Sequence, residues 1–350
     1  MTSSKAKSSI PVSVRAAAYM CAALLVCGLV ALGFAAYLLQ SPDGPEATEL
    51  FTIAKGESMV SVAERLESGG MIRSSPLLRA FARISGADAK IKAGTYELRN
   101  GMSARSILDL FVAGRQALVR FTLPEGFTLR QAAALLDQKG IAEADDFLSA
   151  ADSPELLSEL GIPAASLQGY LFPDTYYFPI AYGGEAVARA MVGAFRERVS
   201  ALAEAAALGP RELHAKIILA SIIEREYRLP EEAPLMAGVF ANRLRIGMAL
   251  QSCATVVYVI TELLGKPHPE ALFDRDLKID DPFNTYLHPG LPPGPIANPG
   301  LTAIDAALRP AKTDYLYFRL VDADQGRHRF SRTLEEHAGA RTFSVKRIGG

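Results

Sequence analysis

Apolar positions along the chain fall into three patterns. The first is continuous: Ala16 to Leu39 carries no charged residue, and its 24 residues, at about 1.5 Å of helical rise each, exceed the roughly 30 Å hydrocarbon core of a bilayer. The second has helical spacing. It predicts a helix between Ser58 and Gly69, with Val60, Val62, Ala63 and Leu66 as its apolar positions, and further helices over about 76–84, 103–113 and 128–139. Short helices over about 144–151 and 154–160 follow, then longer ones over about 185–206, 211–227 and 230–246, a short helix reaching Tyr258, one over about 301–308 and a last one from Leu334. The third pattern alternates, and predicts strands over about 51–53, 91–98 and 117–123 and a hairpin pairing about 315–321 with 328–331. Strands and helices are interspersed without tandem repeat or low-complexity tract, so the chain reads as α+β behind one N-terminal apolar helix.

The helix over about 211–227 organises the rest. Ile217-Ile218-Leu219-Ala220-Ser221-Ile222-Ile223 runs straight into Glu224-Arg225-Glu226-Tyr227, so an apolar run ends in carboxylates held against hydrophobic neighbours. Desolvation raises the pKa of such a carboxyl, toward about 6 in hydrophobic pockets, which suits a general acid near neutral pH. Glu224 is the candidate acid; a solvated acid–base–acid helix end is the bland alternative. Glu226 stands roughly 200° around the helix from it, so both cannot face one substrate oxygen, and Glu226 reads as a supporting residue paired with Arg243 or Arg225. Glu231 and Glu232, just after Pro230, are explained by the positive end of a helix dipole.

Two further stretches suggest a groove. Leu167 to Pro179 interleaves aromatic residues with Gly, Pro and Asp, a mixture that cannot form one regular element, so some of its rings are expected to line a surface on which sugars stack. Gly290 to Gly300 is dense in Pro and Gly and forms a stiff loop with little entropy to lose on binding. Asn242, Gln251, Ser252, Thr285 and Asn298 can exchange hydrogen bonds with sugar hydroxyls and N-acetyl groups. Each of them taken alone more often stabilises a loop than contacts a ligand, and a groove needs only some of them.

Composition narrows the classes. A net charge of −1 over 350 residues gives no long-range bias toward nucleic acid. Of the three cysteines, Cys21 and Cys27 fall in the apolar segment, which leaves Cys253 alone in the remainder and no internal disulfide there. The five histidines are dispersed without metal-ligand spacing, and no phosphate-binding glycine loop or nucleophile elbow occurs, so neither metal nor cofactor is expected. Lys5, Lys7 and Arg15 precede the apolar segment while Asp43, Glu46 and Glu49 follow it. This bias leaves the short N-terminus in the cytoplasm and the remainder outside. A cleavable signal peptide is the competing reading, but its apolar region is shorter, about 7–15 residues.

Taken in order, Gly169-Tyr170-Leu171-Phe172-Pro173-Asp174-Thr175-Tyr176, Leu219-Ala220-Ser221-Ile222-Ile223-Glu224-Arg225-Glu226, Val239-Phe240-Ala241-Asn242-Arg243-Leu244, Gly247 through Tyr258, Asn284-Thr285-Tyr286 and Gly290 through Gly300 resemble the endolytic murein transglycosylase family, also called YceG-like. The resemblance covers essentially the whole chain. It implies a membrane-anchored enzyme that cuts nascent peptidoglycan glycan strands internally, with Glu224 as catalytic glutamate, acting beside the wall-synthesis or division machinery. It also implies groove-forming roles for the Leu250-Gln251-Ser252 loop and the Asn284 to Gly300 loop. Candidate glycan contacts are then Tyr170, Asp174, Tyr176 and Ser221 on one side, with Asn242, Gln251, Ser252, Thr255 and Tyr258. Asn284, Thr285, Tyr286 and Asn298 complete the set, supported by Glu226 and Arg243. Two positions depart from the family pattern: Gln168 stands where members usually carry Glu, and Cys253-Ala254 where they carry Asp-Pro.

The expected organisation is a cytoplasmic N-terminus (1–15), a transmembrane anchor (16–39), a linker (40–50), a LysM-like α+β subdomain (51–116) and a YceG-like catalytic α+β domain (117–350). The LysM-like reading rests on a strand, two helices, strand order, which a ligand-free packing unit explains equally. Localisation is expected at the cytoplasmic (inner) membrane, single-pass, with the catalytic domain periplasmic. The expected reaction cleaves between N-acetylmuramic acid and N-acetylglucosamine and leaves 1,6-anhydro ends. The competing reading is a glycan-binding scaffold with weak or no catalysis, favoured by the two missing acids.

Overall fold

The computed structural model describes residues 12–40 and 47–345. The charged flanks at Lys5, Lys7, Asp43 and Glu46 and most of the expected linker lie outside the described residues. The chain divides into two compact units, Met1–Ala117 and Leu118–Gly350.

The first unit opens with α1 (Val12–Leu39). Among the described residues one helix, Tyr19–Leu39, is long and apolar enough to cross a membrane. Strand β1 (Thr48–Ile53) begins inside the span expected to be linker. It pairs antiparallel with β2 (Gly94–Arg99), Thr48 opposite Arg99 and Ile53 opposite Gly94. Between them lie α2 (Met59–Ser68) and α3 (Ser75–Ser85), and α4 (Ala104–Ala113) follows. Ser58 and Ser103 accept from the backbone N–H groups of Ser61 and Ser106, satisfying donors that the first turns of α2 and α4 leave open. Ile53, Leu66, Leu78, Tyr96, Leu98, Ile107 and Phe111 form the core of this unit.

The second unit runs β3 (Leu118–Thr122), α5 (Leu129–Gln138), α6 (Ala144–Ala151), α7 (Pro154–Glu159), β4 (Thr175–Pro179), α8 (Gly184–Ser200), α9 (Ala203–Ala206), α10 (Pro210–Glu226), α11 (Ala233–Arg245), α12 (Cys253–Tyr258), α13 (Leu301–Leu308), β5 (Tyr317–Asp322), β6 (Arg327–Ser331) and α14 (Leu334–Val345). Helix α10 is its axis, packed against α11, α12 and α13. Every residue from Ile217 to Ile223 is buried, as expected of a helix apolar on all sides. Each of its isoleucines contributes about 1.5–3 kcal/mol of burial. Thr128 and Gln131 close α5 with a reciprocal capping box.

Three expectations need correction. The aromatic stretch does contain a regular element: Thr175–Pro179 pairs with Leu118–Thr122. It turns Tyr177 outward and buries Phe178, while Tyr170 and Phe172 are buried ahead of it. Tyr170, Phe172 and Phe178 are therefore core while Tyr177 is exposed; the partner strand lies far upstream, where local pattern could not supply it. The expected helix over 185–206 breaks after Ser200 into α8 and α9. Glu232 does more than answer a helix dipole. Its buried carboxylate accepts from the His328 backbone N–H at 3.0 Å and lies 2.7 Å from His328 Nδ1, fastening the β5–β6 hairpin to the start of α11.

Candidate active site

Glu224 sits in the last turn of α10, where the buried face of the helix emerges toward the chain's stiff loop. Gly300 donates its backbone N–H to Glu224 Oε2 at 2.9 Å. The Tyr227 hydroxyl lies 3.4 Å from both carboxylate oxygens. Burial holds the Glu224 carboxyl up at about 7. The Gly300 hydrogen bond works against that rise, the negative charge of Glu125 adds to it, and Tyr227 and Arg225 oppose it. The result is a carboxylic acid with a proton to give near neutral pH.

Glu125 carried no signal in the sequence beyond closing a strand with Pro124 and Gly126. Its carboxylate lies directly against Gly300: a β-carbon there would stand 1.8 Å from Glu125 Oε1. The turn carrying it is fixed. Gly126 donates to Asn298 O at 2.9 Å, and Arg225 Nη1 donates to Gly126 O at 3.2 Å.

Asn298 ties three segments around the acid. Its Oδ1 accepts from the backbone N–H groups of Gly169 and Leu171 at 2.9 and 3.1 Å, and its Nδ2 donates to Phe127 O at 2.9 Å. Gly169 must be glycine here. Its φ is 88°, and a β-carbon would meet the Pro295 ring at 2.6 Å. Beside this knot a cavity of about 220 Å³ is lined by Thr128, Gln131, Arg225, Tyr258, Lys266 and His268 among others.

The YceG-like family model matches residues 51–342 of this chain. The chain belongs to the YceG-like family. It is 31% identical over 312 residues to the endolytic murein transglycosylase of Bacillus subtilis, covering 85% of this chain and 84% of that protein. It is 29% identical over 311 residues to the endolytic murein transglycosylase of Streptococcus pneumoniae, covering 81% of this chain and 56% of that longer protein. The crystal structure of a yceG-like protein from Listeria monocytogenes aligns over 84% of this chain and 99% of its own at 31% identity, with a TM-score of 0.55.

In this YceG-like chain most of the polar residues expected to touch glycan are committed to the fold. Asn242 Nδ2 donates to Thr313 O and Tyr315 O, and the buried Asn284 Nδ2 donates to Leu277 O and Ile279 O. Ser221 receives the Ile296 N–H while donating to Ile218 O. Thr255 and Thr285 share a buried hydrogen bond at 2.9 Å, and Thr285 Oγ1 accepts from Ser252 N. The Tyr170 hydroxyl meets His214 Nδ1 at 2.7 Å and the Tyr176 hydroxyl donates to Phe172 O. Asp174 caps the Thr175 N–H and pairs with Arg198. Short polar side chains between glycines and prolines are needed there because loop backbone cannot satisfy its own donors and acceptors. Gln251 is exposed at φ 49°, and Tyr258 faces the cavity.

The supporting residues act differently from expectation. Glu226 makes no ion pair among the described residues; instead it accepts from Ser252 Oγ at 2.5 Å and from the Ala254 N–H in the first turn of α12. Burial raises its pKa, opposed by those bonds and by the Arg243 and Arg225 charges. Arg243 donates to Leu316 O and Leu250 O at 2.7 and 2.6 Å, bracing the loop before α12. Of the two departures, Gln168 is buried with Oε1 accepting from Leu129 N at 2.8 Å, at the start of α5. Cys253 is exposed, its Sγ 3.1 Å from the Tyr286 hydroxyl. Both departures therefore lie at helix N-termini.

Proposed function

We propose that this chain is a membrane-anchored endolytic peptidoglycan lytic transglycosylase. Its relatives in Bacillus subtilis and Streptococcus pneumoniae bear that activity in their names. The observation that carries the reading is Glu224, a largely buried carboxyl held at about 7 at the rim of a loop knot.

Protonated Glu224 donates to the glycosidic oxygen between N-acetylmuramic acid and N-acetylglucosamine. The C6 hydroxyl of the same muramic acid ring attacks C1 and closes a 1,6-anhydro ring. A well-oriented intramolecular group reaches an effective molarity of about 10⁵–10⁸ M, so the C6 hydroxyl outcompetes water. Tyr227, within reach of both Glu224 oxygens, and the Gly300 N–H hold the carboxylate once it has lost its proton. The cavity beside Arg225, Lys266 and His268 receives the neighbouring part of the strand.

Helix α1 anchors the enzyme as a single pass, with the second unit outside the cytoplasmic membrane. The charge bias of Lys5, Lys7 and Arg15 against Asp43, Glu46 and Glu49 supports that orientation. The β-α-α-β-α order of the first unit supports a LysM-like module holding the strand. The second unit acts beside the wall-synthesis machinery to end strand elongation.

The test is incubation of the full chain in detergent with uncrosslinked glycan strands, reading fragment ends by mass spectrometry. Internal fragments ending in anhydro-muramic acid that vanish in E224Q support the enzyme. Hydrated reducing ends indicate a muramidase, and intact strands bound by folded protein indicate a scaffold.

A further inference from the structure

Glu125 and Glu224 flank one residue. Gly300 gives its N–H to Glu224 Oε2 at 2.9 Å, while its Cα faces Glu125 so closely that a β-carbon would overlap Oε1 at 1.8 Å and Cδ at 2.3 Å. The backbone does not call for glycine at 300, since its φ is −78°; a side chain there would have to push aside the end of Glu125. Together with backbone dimensions these distances keep the two carboxylates within about 7 Å of each other. That bound lies below the upper end, about 9.5 Å, of the separations at which paired carboxylates cooperate on a glycosidic bond.

The two acids differ in setting. Glu224 is largely buried, whereas Glu125 is exposed, on a turn pinned by Asn298 and Arg225. No hydrogen bond or ion pair among the described residues engages the Glu125 carboxylate. An anchored turn carrying a solvent-open, unengaged carboxylate beside a buried acid is the arrangement of an acid and a base with separate tasks.

We propose that Glu125 is a second catalytic carboxylate, the base that takes the C6 hydroxyl proton while Glu224 protonates the leaving oxygen; this rests on the transglycosylase reading above. The C1–O bond breaks with its electron pair moving to the leaving oxygen, which gains the Glu224 proton. The C6 oxygen forms its bond to C1, and its proton passes to Glu125. Exchange with water then strips Glu125 and reprotonates Glu224, so each cycle leaves the enzyme unchanged and consumes no net proton.

The test compares kcat against pH for the full chain, E125Q and E125D, alongside thermal melting and glycan binding. The wild type is expected to fall on the alkaline side as Glu224 loses its proton, and a second carboxylate that must accept a proton adds a rise on the acid side. E125Q, folded and still binding glycan, should lose about 100-fold or more in kcat together with the acid-side rise. E125D should keep that rise at a reduced rate, and it decides the question alone should E125Q melt early. An E125Q enzyme within threefold of wild type, or one that is slow but keeps the acid-side rise, overturns the assignment while leaving the transglycosylase reading intact. Failure of the folded wild type to form anhydro ends overturns both.

Discussion

The backbone N–H of Gly300 donates to Glu224 Oε2 at 2.9 Å, joining the last turn of α10 to the N-cap of α13. The positive end of α13 therefore meets the carboxylate and moderates the penalty of burying it. Burial still dominates, and the consequences of that balance can be measured.

Stability should carry the signature of Glu224. Its carboxyl moves from 4.5 to about 7 on folding, so between those values the native state holds a proton that the unfolded chain has lost. Stability therefore declines as pH rises through that window, by up to about 3 kcal/mol from this group. E224Q removes the decline. Urea titrations at pH 4.5 and pH 8 should show the variant gaining on wild type by up to that amount; equal differences at both values would contradict the burial argument.

Tyr227 tunes the acid from outside. Its hydroxyl favours the ionised form of Glu224, so Y227F should raise the alkaline limit of glycan cleavage. At 3.4 Å this bond to the carboxylate is weak, and about 1 kcal/mol corresponds to somewhat under one pH unit. The pH–rate profile of Y227F reads this directly, and a limit that moves downward counts against it.

Asn298 should matter for folding before it matters for substrate. N298A leaves the buried Gly169 and Leu171 N–H groups without an acceptor, at about 1–3 kcal/mol each. Chemical denaturation should show a loss of about 2–6 kcal/mol. Full stability with weakened glycan binding would instead mark Asn298 as a ligand contact.

The family-type residue restored at 168 should leave catalysis alone. Gln168 Oε1 already accepts from Leu129 N, while its buried Nε2 has no partner among the described residues. Q168E keeps the acceptor, removes the orphaned donor and sets a carboxylate at the positive end of α5. Cleavage rates should stay within roughly twofold, and stability should change by no more than about 1 kcal/mol, since losing the orphaned donor offsets the cost of burying a carboxylate. A large gain in rate would show that position 168 reaches the glycan after all.

Much of the fold was legible in local pattern. The all-apolar run of α10, helices α4 and α5, helix α13 over Leu301–Leu308 and the β5–β6 hairpin all depend on contacts within a few residues, which local periodicity encodes. Glu224 was legible for the same reason, since an acid ending a buried helix is desolvated wherever that helix packs. The β3–β4 pairing was not, because Thr122 meets Thr175 only after three helices have been laid between them.

By itself, then, the sequence determined most of the elements, one apolar helix long enough to cross a membrane and a carboxyl at the end of a buried helix, since each is a property of neighbours along the chain. Tertiary structure alone decided which polar side chains serve the backbone and which face outward. Asn298, Asn284 and Asn242 became struts because closing the loops brought carbonyl and amide groups within their reach. Glu125 came to stand against Gly300 because a turn and a helix start far apart in sequence converge on the end of α10, and a hydrogen-bond partner or a facing charge is set by that convergence in space.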